Sequence, residues 1–141
     1  MAAYLLDTGI LIRHLRNSAG YHAFLHQLNL QGKLCISAFT RLEILRGMRQ
    51  HERERTFALL NSLTTHTIDA QSADRAGLLI RFYQARGFVL EEGDALIAAS
   101  ALQANAILVT TNPRHFPMPE LAVLAVDAQG QSQLLSPDQR V

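Results

Sequence analysis

Residues 3–16 read Ala3-Tyr4-Leu5-Leu6-Asp7-Thr8-Gly9-Ile10-Leu11-Ile12-Arg13-His14-Leu15-Arg16. Residues 3 to 7 have the short apolar run of a buried strand, and Thr8-Gly9 turns it into the amphipathic pattern that begins at Ile10. A strand passing straight into a helix is the repeating unit of an α/β sheet.

The rest of the chain continues that alternation. Tyr21, Phe24, Leu25 and Leu28 recur at helical spacing until Gly32 stops them, and Leu34-Cys35-Ile36-Ser37 reads as a second strand. A helix carrying Glu43 follows to about Gly47, and a polar stretch from Arg49 to Arg55 leads into a further helix over Phe57 to Leu63. His66 to Asp69 reads as a strand, and the helix from about Ser72 to Arg86 ends at Gly87. Asp94 opens a helix that runs to Gln103 and is apolar nearly all round, as expected of an enclosed element. Ala106 to Thr110 is a strand, and Ala122 to Val126 reads as a strand at the sheet edge. With no tight-hairpin dipeptide between strands, the pattern predicts an α/β fold with a central, mostly parallel sheet. The expected organisation is one domain over residues 1–141, with about 127–141 a loosely held, Gln-rich tail.

Net charge is +1, so no nucleic-acid partner can be argued from overall charge. The one cysteine, Cys35, excludes an internal disulfide and a cysteine-rich metal site, and favours a reducing compartment, with the cytoplasm as the default. Asp7 and Arg13 interrupt the early apolar stretch, and no later one approaches membrane-spanning length, so neither an export signal nor a membrane partner is expected.

Four polar residues far apart in sequence fall where such a fold gathers them: Asp7 after the first strand, Glu43 inside an apolar helix, Asp94 opening the enclosed helix, and Asn112 after the strand ending at Thr110. Ligands of open α/β sheets bind beyond the carboxyl ends of strands. Asp7 and Asp94 each have a plainer reading as helix N-caps. Glu43 lies at the edge of an apolar arc, where a desolvated carboxylate needs solvent, an arginine such as Arg46, or a cation. Carboxylate and amide oxygens suit Mg²⁺ or Mn²⁺, and such a site fits phosphodiester chemistry. Zinc is not expected, because His22 and His26 at i,i+4 spacing have no evident third ligand. Twelve of the thirteen basic residues are arginines, and Arg41, Arg46, Arg49, Arg53 and Arg55 fall in the segment that carries or follows Glu43. Arg46 is the RNA-binding candidate among them, while Glu52 and Glu54 are expected to pair locally with Arg53 and Arg55.

Taken together, Tyr4-Leu5-Leu6-Asp7-Thr8-Gly9, Ile36 to Gly47 with Glu43, Asp94-Ala95-Leu96-Ile97-Ala98-Ala99, and Leu108-Val109-Thr110-Thr111-Asn112 with Phe116 resemble the PIN-domain ribonucleases, specifically the VapC-like toxins of bacterial toxin–antitoxin pairs. The resemblance runs nearly end to end. It implies a three-layer α/β/α fold and a metal-dependent endoribonuclease, with Asp7, Glu43 and Asp94 holding Mg²⁺ or Mn²⁺ and Asn112 a weaker ligand. It also implies a cognate antitoxin, an RNA substrate and a homodimer, with part of the Tyr21, Phe24, Leu25, Leu28 stripe at the antitoxin groove. Thr8, Ser37 and Thr110 are auxiliary hydroxyls that orient ligands or water, or else caps. One departure stands out: many relatives carry an acid at the position of His115, so a fourth carboxylate is missing.

Rival readings are an aspartic protease, suggested by Asp7-Thr8-Gly9 but requiring an all-β chain, and a haloacid-dehalogenase-like phosphatase, whose second aspartate is Gly9 here. A non-enzymatic alternative is a catalytically impaired PIN-like module that binds protein or RNA.

Overall fold

The opening stretch folds as β1 (Ala2–Leu6) and α1 (Thr8–Leu15), joined through Asp7 alone. The computed structural model describes residues 2–141. After α1 come α2 (Tyr21–Gln31), β2 (Gly32–Ser37), α3 (Ala38–Gly47), α4 (Arg53–Ser62) and β3 (Thr64–His66). The second half contains α5 (Ala70–Gln84), α6 (Glu92–Gln103), β4 (Ile107–Thr110), β5 (Val123–Val126) and β6 (Ser132–Leu135), with short 3-10 turns at Pro113–His115 and Pro137–Arg140.

The sheet order is β3-β2-β1-β4-β5-β6, parallel throughout except for the antiparallel β5–β6 pair. Alternation along β1 divides the interior in two. Leu5 points with Cys35, Leu108 and Val123 into a core closed by the small residues of α6, while Tyr4 and Leu6 point with Ile36 and Val109 into a second core under α1 and α2. Helices therefore cover both faces of the sheet, the three-layer α/β/α arrangement. A parallel sheet wrapped in helices removes the aspartic-protease reading. Among the described residues, no helix is long and apolar enough to cross a membrane.

Several local expectations are corrected. β5 is not an edge strand, because β6 pairs along its outer side. Residues 127–141, read as a tail, contain β6 and a last turn whose Arg140 is buried. Gly32 stops α2 in extended backbone, not in the left-handed form, and what demands glycine there is β1, since a Cβ would lie 2.2 Å from the Ala2 carbonyl oxygen. Gly87 does adopt the left-handed conformation, at φ +80°. Asp69 belongs to no strand; its carboxylate accepts the Ser72 N–H and caps α5, which begins two residues earlier than the spacing indicates.

Candidate active site

The sheet order reverses between β1 and β4, and the crevice beyond their carboxyl ends is where such folds place a ligand. Asp7 sits at that point. Its backbone N–H donates to the Val109 carbonyl at 2.9 Å, continuing the β1–β4 pairing. Its side chain is used twice: Oδ1 accepts the Thr8 N–H at 2.9 Å as the cap of α1, and Oδ2 accepts the Thr110 hydroxyl at 2.7 Å. One carboxylate thus caps α1 and also receives the hydroxyl at the end of β4. Thr110 Oγ1 also accepts the Asn112 N–H, shaping the turn after β4.

Glu43 approaches from α3. Thr8 donates its hydroxyl to Glu43 Oε1 at 2.6 Å, and Thr40 Oγ1 lies 3.1 Å from the same hydroxyl, so two helices meet at a chain of side-chain oxygens. Asp94 approaches from α6. It does not open the helix but sits in its first turn, after Glu92 and Gly93. Gly93 is what lets α6 press against α3, since a Cβ there would stand 2.5 Å from the Phe39 ring. His115 Nδ1 lies 3.2 Å from Asp94 Oδ2, within ion-pair or hydrogen-bond reach.

The electrostatics show what these acids lack. Burial raises the pKa of Asp7 above the usual carboxylate value; the bonds from Thr110 and Thr8 oppose this, and Glu43 adds to it. Burial likewise pushes Asp94 up to about 6, with Asp7, Glu43 and Glu91 raising it further and His115 alone opposing. Neighbouring acids thus make both Asp7 and Asp94 harder to ionise, and among the described residues no arginine pairs with either. Hard oxygen donors with unrelieved negative charge fit a divalent cation. Among the described residues, however, no three carboxylate, imidazole or thiol groups stand at ligating distance from one point, so closing on an ion requires side-chain rotation.

The remaining expected residues divide. Asn112 is exposed, and its side-chain amide donates to Thr111, with no bond to the acids. Ser37 is fully buried, caps α3 through the Phe39 N–H and accepts the Ser100 hydroxyl, so it ties α3 to α6 rather than facing the crevice. Arg46 is exposed in the last turn of α3, three residues beyond Glu43 and free to meet an anion. Arg41 is committed elsewhere, donating to Leu60, Asn61 and Thr65. Glu52 does not pair with an arginine side chain but accepts the Arg49 N–H, and Arg53 lies over the Phe57 ring at 4.8 Å. Tyr21, Leu25 and Leu28 are core. Sequence reasoning missed Thr40 and the packing roles of Gly9 and Gly93. Gly9 leaves room for Thr111, whose Oγ1 would be 2.9 Å from a Cβ. The small residues themselves were the available signal.

The structure thus sets an acid at the β1/β4 crevice of an α/β/α sandwich and brings acids towards it from two helices. The PIN domain model matches residues 4–121. Ribonuclease VapC10 of Mycobacterium tuberculosis is 36% identical over 114 residues, 81% of this chain and 86% of that protein. Ribonuclease VapC19 of the same organism is 34% identical over 115 residues, 81% and 92% of the two chains. Among solved structures, the DNA-bound VapBC of Salmonella typhimurium superposes with a TM-score of 0.72 at 26% identity, covering 87% of this chain and 97% of that one. The chain belongs to the PIN-domain family, within its VapC ribonuclease branch.

Proposed function

We propose that this chain is the toxin of a toxin–antitoxin pair, a metal-dependent endoribonuclease in which Asp7, Glu43 and Asp94 hold Mg²⁺ or Mn²⁺. The observation that carries the metal reading is the gathering of these acids in a site where burial, with their mutual repulsion added, lifts Asp94 to about 6. Bound there, the ion would supply an activated water and neutralise charge gathering on the phosphate. The protein's own contribution is positional. Thr110 and the Thr8 N–H fix the Asp7 carboxylate, Thr8 holds Glu43, and His115 meets Asp94. Arg46 offers its guanidinium to a phosphate of the RNA.

The cytoplasm is the proposed compartment, and the buried free thiol of Cys35 fits it. The proposed protein partners are a cognate antitoxin, in line with the toxin–antitoxin complex of Klebsiella pneumoniae (27% identical, TM-score 0.68), and a second copy of the chain. Leu78 and Phe82, large apolar side chains exposed on α5, support self-association.

RNA cleavage with and without a chelator tests the enzymatic reading, with tRNA the first substrate to offer, since a relative 30% identical is named a tRNA(fMet)-specific endonuclease. Cleavage should require Mg²⁺ or Mn²⁺ and fall at least about a hundredfold in Asp7→Asn, which keeps the cap but removes the charge. Cleavage that survives both changes would overturn it. RNA binding without cleavage at saturating metal would instead establish the binding module, a reading favoured by His115 standing where relatives carry an acid.

A further inference from the structure

Arg140 is a buried cation that, among the described residues, has no carboxylate at ion-pair distance, with Tyr83 and Glu120 acting on it from further off. It is 3% exposed, and its guanidinium is spread over four backbone carbonyls: Nη1 donates to Phe116 at 3.3 Å and Met118 at 2.8 Å, Nη2 to Leu121 at 2.6 Å and Leu135 at 3.3 Å. Nε finds no partner. Burying a charge is unfavourable unless its donors are satisfied, and four carbonyls on one planar fork are an expensive arrangement to assemble for a chain end. Three of the four belong to the loop from Phe116 to Leu121, which carries no regular structure and directly follows the Pro113–His115 turn. The side chains of Phe116, Met118 and Leu121 are themselves at most 1% exposed, so the loop is pinned from within by packing and from outside by Arg140.

The consequence falls on His115. One end of its turn is fixed by Thr110, which accepts the Asn112 N–H; the other is fixed one residue later, where the Phe116 carbonyl meets Arg140. His115 is held between these anchors at 3.2 Å from Asp94. The PIN model matches residues 4–121, and the segment that brings Arg140 back to the loop follows that match.

We propose that Arg140 is a positioning residue for the acid cluster: by holding the 116–121 loop it sets where His115 meets Asp94, and so how tightly the cluster takes a divalent cation. This rests on the metal reading above. The test is calorimetric titration with Mn²⁺ at pH 8 on wild type, Arg140→Ala, His115→Ala and the double variant. Groups that orient metal ligands contribute about ten- to a hundredfold in affinity. Arg140→Ala should therefore bind Mn²⁺ about tenfold more weakly than wild type, yet lose less than about twofold when His115 is already alanine, because the two residues act on one path. Should Arg140→Ala fail to fold, Arg140→Lys takes its place in the cycle, since one ammonium cannot span all four carbonyls. Equal losses in both backgrounds would reduce Arg140 to a stabilising residue, and unchanged affinity would also overturn the proposal. A wild type that binds no Mn²⁺ would overturn the metal reading and this inference with it, and is told apart by the wild-type titration alone.

Discussion

Two of the places where this molecule buries charged side chains treat them in opposite ways. Arg140 is enclosed by the last turn and the 116–121 loop, and the chain itself supplies four acceptors for it. Asp7 and Asp94 are also withdrawn from water, but the chain sets another acid, Glu43, beside them; Thr110 and the Thr8 N–H offset the burial of Asp7 only in part, and His115 alone opposes that of Asp94. A charge that serves the fold is satisfied by the fold. Charges left mutually repelling at a sheet crevice lower the stability of the empty protein, and on the proposed metal reading a cation would offset that.

The contrast can be sharpened by removing a charge from the unsatisfied side. Asp94 is bound more tightly to its proton in the folded state than in the unfolded chain, so it lowers the stability of the metal-free protein as pH rises from the ordinary carboxylate value through about 6. Above that range the full penalty, up to about 3 kcal/mol for a shift of this size, is present. Metal-free Asp94→Asn should therefore be more stable than wild type in urea at pH 7.5, with the gap shrinking towards pH 4. A gap that widens on acidification would break the comparison. Next in size, Gly93→Ala should destabilise by about 1–3 kcal/mol, because the added Cβ forces α6 away from Phe39. It should weaken Mn²⁺ binding as well, which separates it from an ordinary packing defect. Smaller again, His115→Asp adds a hard oxygen donor beside Asp94 and should tighten Mn²⁺ binding about tenfold at pH 6 by calorimetry. Equal affinities would place position 115 outside the site. The smallest effect belongs to Arg46→Ala, expected to weaken RNA binding about threefold and to lower the salt slope by about one phosphate contact.

The order of strands and helices was legible because period and punctuation speak locally: Leu5 and Leu108 sit in short apolar runs, and Gly87 marks a helix end. Asp7, Glu43 and Asp94 were legible for a related reason, being polar residues at the ends or edges of apolar elements. What escaped was set by contacts across the chain. Nothing near Ser37 announces that Ser100 will occupy its hydroxyl, so its two readings stood level until α3 and α6 were seen together. Nothing in the Gln-rich end announces that Arg140 is buried, because an arginine near a polar terminus looks solvated until the loop that surrounds it is in place. Gly93 looked like a residue before a helix and proved to be the contact that lets α6 approach α3.

The most direct measurement is the melting temperature of wild type and Asp94→Asn at pH 7.5, without metal and across a Mn²⁺ titration. A ligand that binds only the folded state stabilises it by mass action, about 2.7 kcal/mol at a hundredfold excess over Kd. Wild type should start below the variant and rise by several degrees as Mn²⁺ saturates, while Asp94→Asn starts higher and responds little. A wild type whose melting temperature stays fixed up to millimolar Mn²⁺, or a variant that responds as fully as wild type, would contradict a cation site built from these acids.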